Sequence, residues 1–321
     1  MAIIAMSGCS SAGTKAATAT AEAAPERNFN FNADSAYQFV AQQVAFGPRV
    51  PGSASAKACA KWIEDKLKSY GADSVTAQRA TLTAYNGDRL DITNISAQFN
   101  PSANDRVLLL AHWDTRPWAD QEADADLREK PIDGANDGAS GVAVILELAR
   151  HFAQNPPKCG VDILLVDAED YGRRSDQPQL DEDTDSWALG TQYWLEHPTL
   201  DLGRVQYAVL LDMVGGKDAV FPREYHSEYA CPSVNDKVWQ AARKAGHGKR
   251  FPDRLGGAVV DDHVYFIMAR IPAIDIIESN NPTTGTFPPA WHTHADNLSN
   301  IDPATLRAVG ETLEQLLCNE K

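Results

Sequence analysis

The chain has 321 residues, 43% of them hydrophobic, and a formal net charge of −15. That is enough apolar material for a large core, and the wrong charge for nucleic acid or an anionic membrane surface as partner. Five cysteines without CxxC spacing, Cys9, Cys59, Cys159, Cys231 and Cys318, argue against a thiolate metal site.

Residues 1–27 combine a short apolar run, a lipobox-like Ser7-Gly8-Cys9 and an Ala/Thr-rich tether. They are expected to be the remnant of a lipoprotein signal, although the usual basic n-region is missing. The protein is then exported, periplasmic or held to a membrane only through a lipid at Cys9. No linker divides residues 28–321, which are expected to form a single catalytic domain, monomeric in solution. Cys59 and Cys318 fall on amphipathic helical patterns and are expected as small buried thiols, while others could pair in an oxidising compartment.

Helices are predicted over residues 35–45 and 53–70, the second with Ser53 as N-cap and Gly71 just past its end. The loop between them, Gly47-Pro-Arg-Val-Pro-Gly-Ser53, is too rich in Gly and Pro for either regular element. Alternating runs at 75–84 and 90–99 around Asn86-Gly87 read as a hairpin. Continuous apolar runs at 107–111, 161–166, 205–211 and 273–277 read as strands buried on both faces. Helical patterns at 140–154, 187–196, 233–245, 263–270 and 303–318 separate or follow them, and residues 177–185 read as an exposed acidic loop. The expected fold is α/β, a three-layer sandwich with a central mixed, mostly parallel sheet flanked by helices.

Acidic and imidazole groups stand at or just past the end of nearly every central strand. His112 and Asp114, two residues apart, point the same way on an extended chain. Asp137 lies in Gly134-Ala-Asn-Asp-Gly-Ala-Ser-Gly141, Glu169-Asp170 and Asp212 end apolar runs, and Asp261-Asp262-His263 precedes a helix. Near the C-terminus comes Phe287-Pro-Pro-Ala-Trp-His-Thr-His-Ala-Asp-Asn297. Singly, each acid has an ordinary explanation as a helix cap or a solvated strand end. Together they deliver carboxylates and imidazoles to one edge of a sheet, which suits a zinc site.

In order and spacing these motifs, from Gly47 to Asn297, resemble the glutaminyl cyclases (glutaminyl-peptide cyclotransferases) of the zinc aminopeptidase superfamily, as a bacterial-type member. The cyclase branch rests on Trp291-His292-Thr293 after Phe287-Pro288, and on Asp261, where the aminopeptidases usually carry Ser. The resemblance implies conversion of N-terminal Gln in peptides or proteins to pyroglutamate, with release of ammonia. It implies one zinc held by Asp137, Asp170 and His292, with Glu169 as general acid/base and Asp212 and Asp261 as an acidic pair beside the leaving group. Trp291, Trp187 and Phe287 would line the substrate pocket. Three departures stand out: Asp170 where the family often has Glu, Asp275 where animal members have His, and no cysteine pair around the Asp137 turn. His294 competes with His292 as ligand, and His112 is left off the ligand set because its counterpart in aminopeptidases serves a second zinc. The alternatives are a zinc aminopeptidase and, from another class, a lipoprotein that keeps the fold only to bind peptides.

Overall fold

Apolar runs flanked by amphipathic helices leave one stable solution, a sheet covered on both faces. The structure, a computed structural model, describes residues 29–152, 154–178 and 186–320. The lipobox-like segment with Cys9 and most of the acidic loop lie outside those residues.

Helices α1 (Ala33–Val44) and α2 (Ala54–Ser69) come first, capped by the side chains of Asn32 and Ser53, which accept the amides of Ser35 and Ala56. Strands β1 (Ser74–Thr83) and β2 (Arg89–Phe99) form the hairpin, with Gly87 supplying the positive φ of its turn. Then follow β3 (Arg106–His112), a single turn α3 (Ala125–Arg128), α4 (Ala139–Phe152), β4 (Gly160–Val166), α5 (Leu189–Glu196) and β5 (Val205–Leu211). The chain closes with α6 (Tyr225–Ala230), α7 (Pro232–Ala245), α8 (Asp262–Met268), β6 (Ala273–Ile276) and α9 (Pro303–Asn319). The short α3 and α6 have no counterpart in the sequence reading, because helices of four and six residues are too brief to show a period.

The strand order is β1-β2-β4-β3-β5-β6. β1, β2 and β4 pair antiparallel in turn, and β4, β3, β5 and β6 pair parallel. Leu109, Ile163, Val209 and Leu211 pack with α1, α2, α4, α7 and α9 in one apolar cluster. Their neighbours Leu108, Leu110, Leu164 and Leu210 turn to the other face, onto Trp194 of α5 and Phe266 of α8. From β3 the chain moves one way to β4, then returns past β3 to β5. Beside such a reversal the carboxyl ends of the strands open a crevice. There α4 presses directly on β5: a Cβ on Gly141 would fall 2.1 Å from the carbonyl oxygen of Leu211.

Cys59, Cys159 and Cys231 are buried, and none of the four described cysteines is paired. Cys318 corrects the expectation of a buried thiol. In the last turn of α9, Leu313, Leu316 and Leu317 take the core, so Cys318 is left facing outward.

At the opposite edge of the sheet, Arg106 and Asp162 are both fully buried and joined by two hydrogen bonds of 2.8 and 2.7 Å. Removing one partner strands the other charge in the core. Arg106→Met should therefore lower the unfolding free energy by about 3–5 kcal/mol. Denaturant melting checks this, and Arg106→Met/Asp162→Leu should recover much of the loss.

Candidate active site and metal centre

Each chemical group reaches the crevice from a different connection. His112 is the last residue of β3, Asp137 lies in the turn before α4, and Asp212 directly follows β5. Glu169-Asp170 stand just past β4, Asp261 caps α8, and His292 comes from the loop before α9. The ligand atoms of Asp137, Asp170 and His292 lie within 4.8 Å of one another, all buried. Nε2 of His292 is 3.2 Å from Oδ1 of Asp170 and 3.7 Å from Oδ2 of Asp137. Oδ2 of Asp170 is buried with no hydrogen-bond partner. Two carboxylates and an imidazole converging around such an orphan oxygen fit zinc, with a fourth position left for substrate.

Asp137 also belongs to a second group. Nε2 of His112 lies 3.1 Å from Oδ1 of Asp137 and 3.2 Å from Oδ1 of Asp212. A third group, Asp261, His263 and Asp275, sits deeper. Asp275 faces Nδ1 of His263 at 3.7 Å, while Nε2 of that ring is 3.0 Å from Glu224. Asp275 thus supports the α8 end from beneath and does not line the pocket. His294 turns away from the convergence, its Nδ1 3.1 Å from Glu122.

The residues that fix this geometry were mostly invisible in the sequence. Asp114 accepts the amides of Glu169 and Asp170 at 3.1 and 3.2 Å, so it places the pair from behind. Asp296 does the same for Asn136 and Asp137, at 2.8 and 3.0 Å. Arg49, fully buried, donates to the carbonyls of Trp113, Asp133 and Gly134. Arg116 binds Asp120 through two bonds of 2.7 and 2.8 Å, reaches the carbonyl and Oδ1 of Asp170, and lies 4.8 Å over the ring of Trp187. Asp120 in turn stands 3.2 Å from Nδ1 of His292, the nitrogen facing away from the convergence. A carboxylate behind a ligating imidazole fixes its orientation and raises its basicity. Neither Arg116 nor Asp120 sits in a periodic pattern or strand end, so no local signal announced them.

Backbone strain gathers at the same place. Among the described residues, seven non-glycine residues have positive φ, and four of them are Ala168, Ala188, Met213 and His292. These are the neighbours of Glu169, Trp187 and Asp212, and the candidate ligand itself. Left-handed backbone at such residues costs on the order of 1–3 kcal/mol each and persists where the surroundings enforce it.

Burial pushes the carboxyl of Glu169 well above the ordinary range, and nearby Asp261 adds to the effect. Asp261 is pushed up to about 7 by burial and by Asp212. Asp212 rises to about 6 through burial and the charge of Asp137, against the hydrogen bond from His112. These acids line a cavity of roughly 230 Å³ together with Met213, Val259, Val260 and Ile277. Aromatic rings form its remaining wall. Trp291 stacks on His292 at 3.6 Å between centroids, Phe287 packs on Trp291 at 4.5 Å, and Trp187 lies parallel to His292 at 6.3 Å.

A family model described as peptidase family M28 matches residues 94–317. The chain is 48% identical to the glutaminyl cyclase of Bacteroides thetaiotaomicron, whose crystal structure holds N-acetylhistamine; the TM-score is 0.87 over 91% of this chain and 99% of that one. It is 47% identical to a Zn-dependent exopeptidase from Parabacteroides distasonis, with a TM-score of 0.87 over the same 91% and 99%. Among curated proteins, the glutaminyl-peptide cyclotransferase of Bos taurus is 24% identical over 296 residues, covering 83% of this chain and 76% of that protein.

If His292 is the imidazole that holds the metal, His292→Ala should abolish zinc retention, while His294→Ala leaves it intact. Asp120→Asn should weaken zinc binding by about 10- to 100-fold with the fold unchanged. Chelator competition followed by metal analysis reads both.

Proposed function

The chain belongs to peptidase family M28, and from that premise we propose that it is a zinc-dependent glutaminyl-peptide cyclotransferase. It converts the N-terminal Gln of peptides and proteins to pyroglutamate and releases ammonia. The relatives named glutaminyl cyclase support this activity over the aminopeptidase one.

The observation that carries the reading within the site is the Asp212–Asp261 pair. Burial pushes both carboxyls up, Asp212 to about 6 with Asp137 nearby and Asp261 to about 7 with Asp212 nearby, so Asp261 is the one that still carries a proton near neutrality. A protonated Asp261 is well suited to hydrogen-bond a departing amide nitrogen. As the resemblance to the glutaminyl cyclases implies, we infer a single zinc.

Asp137, Asp170 and His292 would hold that zinc, which supplies Lewis acidity toward a substrate carbonyl when bound. Trp291, Trp187 and Phe287 pack along the aliphatic stem of the glutaminyl residue and keep water out. Glu169 takes a proton from the substrate's free α-amine as that nitrogen bonds to the side-chain amide carbon. The same carboxyl then returns the proton to the amide nitrogen as its bond to carbon breaks and ammonia leaves. Asp212 and Asp261 hold that nitrogen. Because nucleophile and electrophile belong to one residue, orientation does work that a peptidase must do with an activated water. The Ser7-Gly8-Cys9 segment supports export, with a lipid anchor at Cys9.

Given a Gln-initiated peptide, the purified protein should release ammonia and leave a product lighter by that mass but not shorter. Free amino acids released from ordinary peptides, with no cyclised product, would favour the aminopeptidase. Glu169→Gln should cut the rate by on the order of 10² to 10⁴ with zinc retained. The loss in Asp170→Asn should instead be partly recovered by added zinc.

A further inference from the structure

We propose that an apolar groove between α6 and α8 receives the residues that follow the first one of the substrate, and favours peptides with large apolar side chains there. This rests on the cyclase reading above and extends it to the part of the substrate that the chemistry leaves outside.

All five large hydrophobic residues exposed on the described surface, Tyr225, Tyr229, Leu255, Val260 and Met268, fall in one stretch of chain. Tyr229 is 78% and Met268 70% exposed. Contiguous exposed apolar surface of this kind marks an interaction site more often than chance packing. On α6, Tyr225 and Tyr229 stand one turn apart with rings stacked at 5.3 Å. Across from them, Val264, Ile267 and Met268 share one face of α8. Between the two helices lies a groove of about 350 Å³ with no Asp, Glu, Lys or Arg in its lining.

The helices that line the groove start from the segment that rims the catalytic pocket. Val260, 52% exposed, lines the catalytic pocket and immediately precedes the α8 cap Asp261. The amide of Val264 bonds the carbonyl of Asp261, so the groove wall begins where the pocket rim ends. On the other side, the α6 end is latched to the rim loop. The amide of Tyr225 bonds the carbonyl of Gly257, and the amide of Val259 bonds Glu224 at 3.0 Å.

A pocket of roughly 230 Å³ has room for little more than one glutaminyl side chain, so the rest of any peptide lies outside it, and the Val260 side of the rim leads to exposed apolar surface. From Val260 to Met268 is roughly 12 Å at helical rise. About four residues of extended peptide span that length. The occupant is therefore the stretch from about the second to the fifth residue of the substrate.

Ammonia release is compared for glutamine amide, Gln-Gly-Leu-Phe-Gly and Gln-Gly-Ser-Ser-Gly, using the zinc-loaded wild type and Tyr229→Ser/Met268→Ser. The wild type should prefer the Leu-Phe peptide over the Ser-Ser peptide by on the order of tenfold in kcat/KM. The double variant should lose that preference while its turnover of glutamine amide stays the same, which also shows that it is folded. Equal rates for the two peptides in the wild type, or the same preference in the variant, would overturn the groove and leave the cyclase reading standing. No ammonia from any of the three in the wild type would overturn the cyclase reading itself. A wild-type dimer that dissociates in the variant, with peptide preference unchanged, would assign the patch to a second copy of the chain.

Discussion

Asp114, Asp137, Glu169, Asp170, Asp212, Asp261 and Asp296 are all buried at one edge of the sheet, together with only a few cationic groups. Burial pushes Glu169, Asp170, Asp212, Asp261 and Asp296 above the usual carboxylate range. Such crowding is tolerable only where each charge is neutralised by a proton, a cation or a donor. The chain uses all three in different places. Backbone amides satisfy Asp114 and Asp296, Arg116 satisfies Asp120, and His112 bridges Asp137 and Asp212. Asp170, with an oxygen left over, is the group for which a cation remains the natural partner.

This division of labour also explains the strained backbone. Holding acidic side chains toward a common point from four different connections requires each connection to turn sharply as it leaves its strand. At Ala168 and Met213 the turn comes immediately beside Glu169 and Asp212, and at His292 it falls on the ligand candidate itself. The strain is sustained because hydrogen bonds fix the backbone on either side of it: Asn94 and Asp114 accept the amides of Asp167 and Glu169 around Ala168, and the Ile276 carbonyl and Ser140 hydroxyl accept those of Asp212 and Val214 around Met213. A site built this way is already oriented before substrate arrives.

The layered fold was legible because strand burial writes itself into composition. The four continuous apolar runs became β3, β4, β5 and β6, with the Asn86-Gly87 hairpin before them. The groups at the strand ends were legible too, since Asp137, Asp170 and His292 stand in short motifs and do converge. What could not be read was the layer behind them. Asp120 meets His292 across more than 170 positions of chain, and Asp296 meets Asp137 across 159. Contacts over such distances leave no period and no local spacing. Asp114 shows the same limit from another side: its position beside His112 was plain, but its work on the amides of Glu169 and Asp170 belongs to the fold.

The aspartate at position 170 ties these threads together. Its side chain is one methylene shorter than the glutamate often found there, so its backbone must bring the carboxylate to the metal position. Asp114 clamps the amides of both Glu169 and Asp170, and Arg116 holds the carbonyl of Asp170 at 3.0 Å. The same guanidinium binds Asp120 behind His292 and lies over Trp187. One buried arginine therefore sets the reach of a carboxylate, the orientation of an imidazole and the wall of the substrate pocket together. A shorter carboxylate on so rigid a mount holds its position without the rotamer freedom that a glutamate brings. Glu169, fixed at the amide by Asp114, keeps a longer side chain beyond that anchor, the reach that the proposed proton transfer would use.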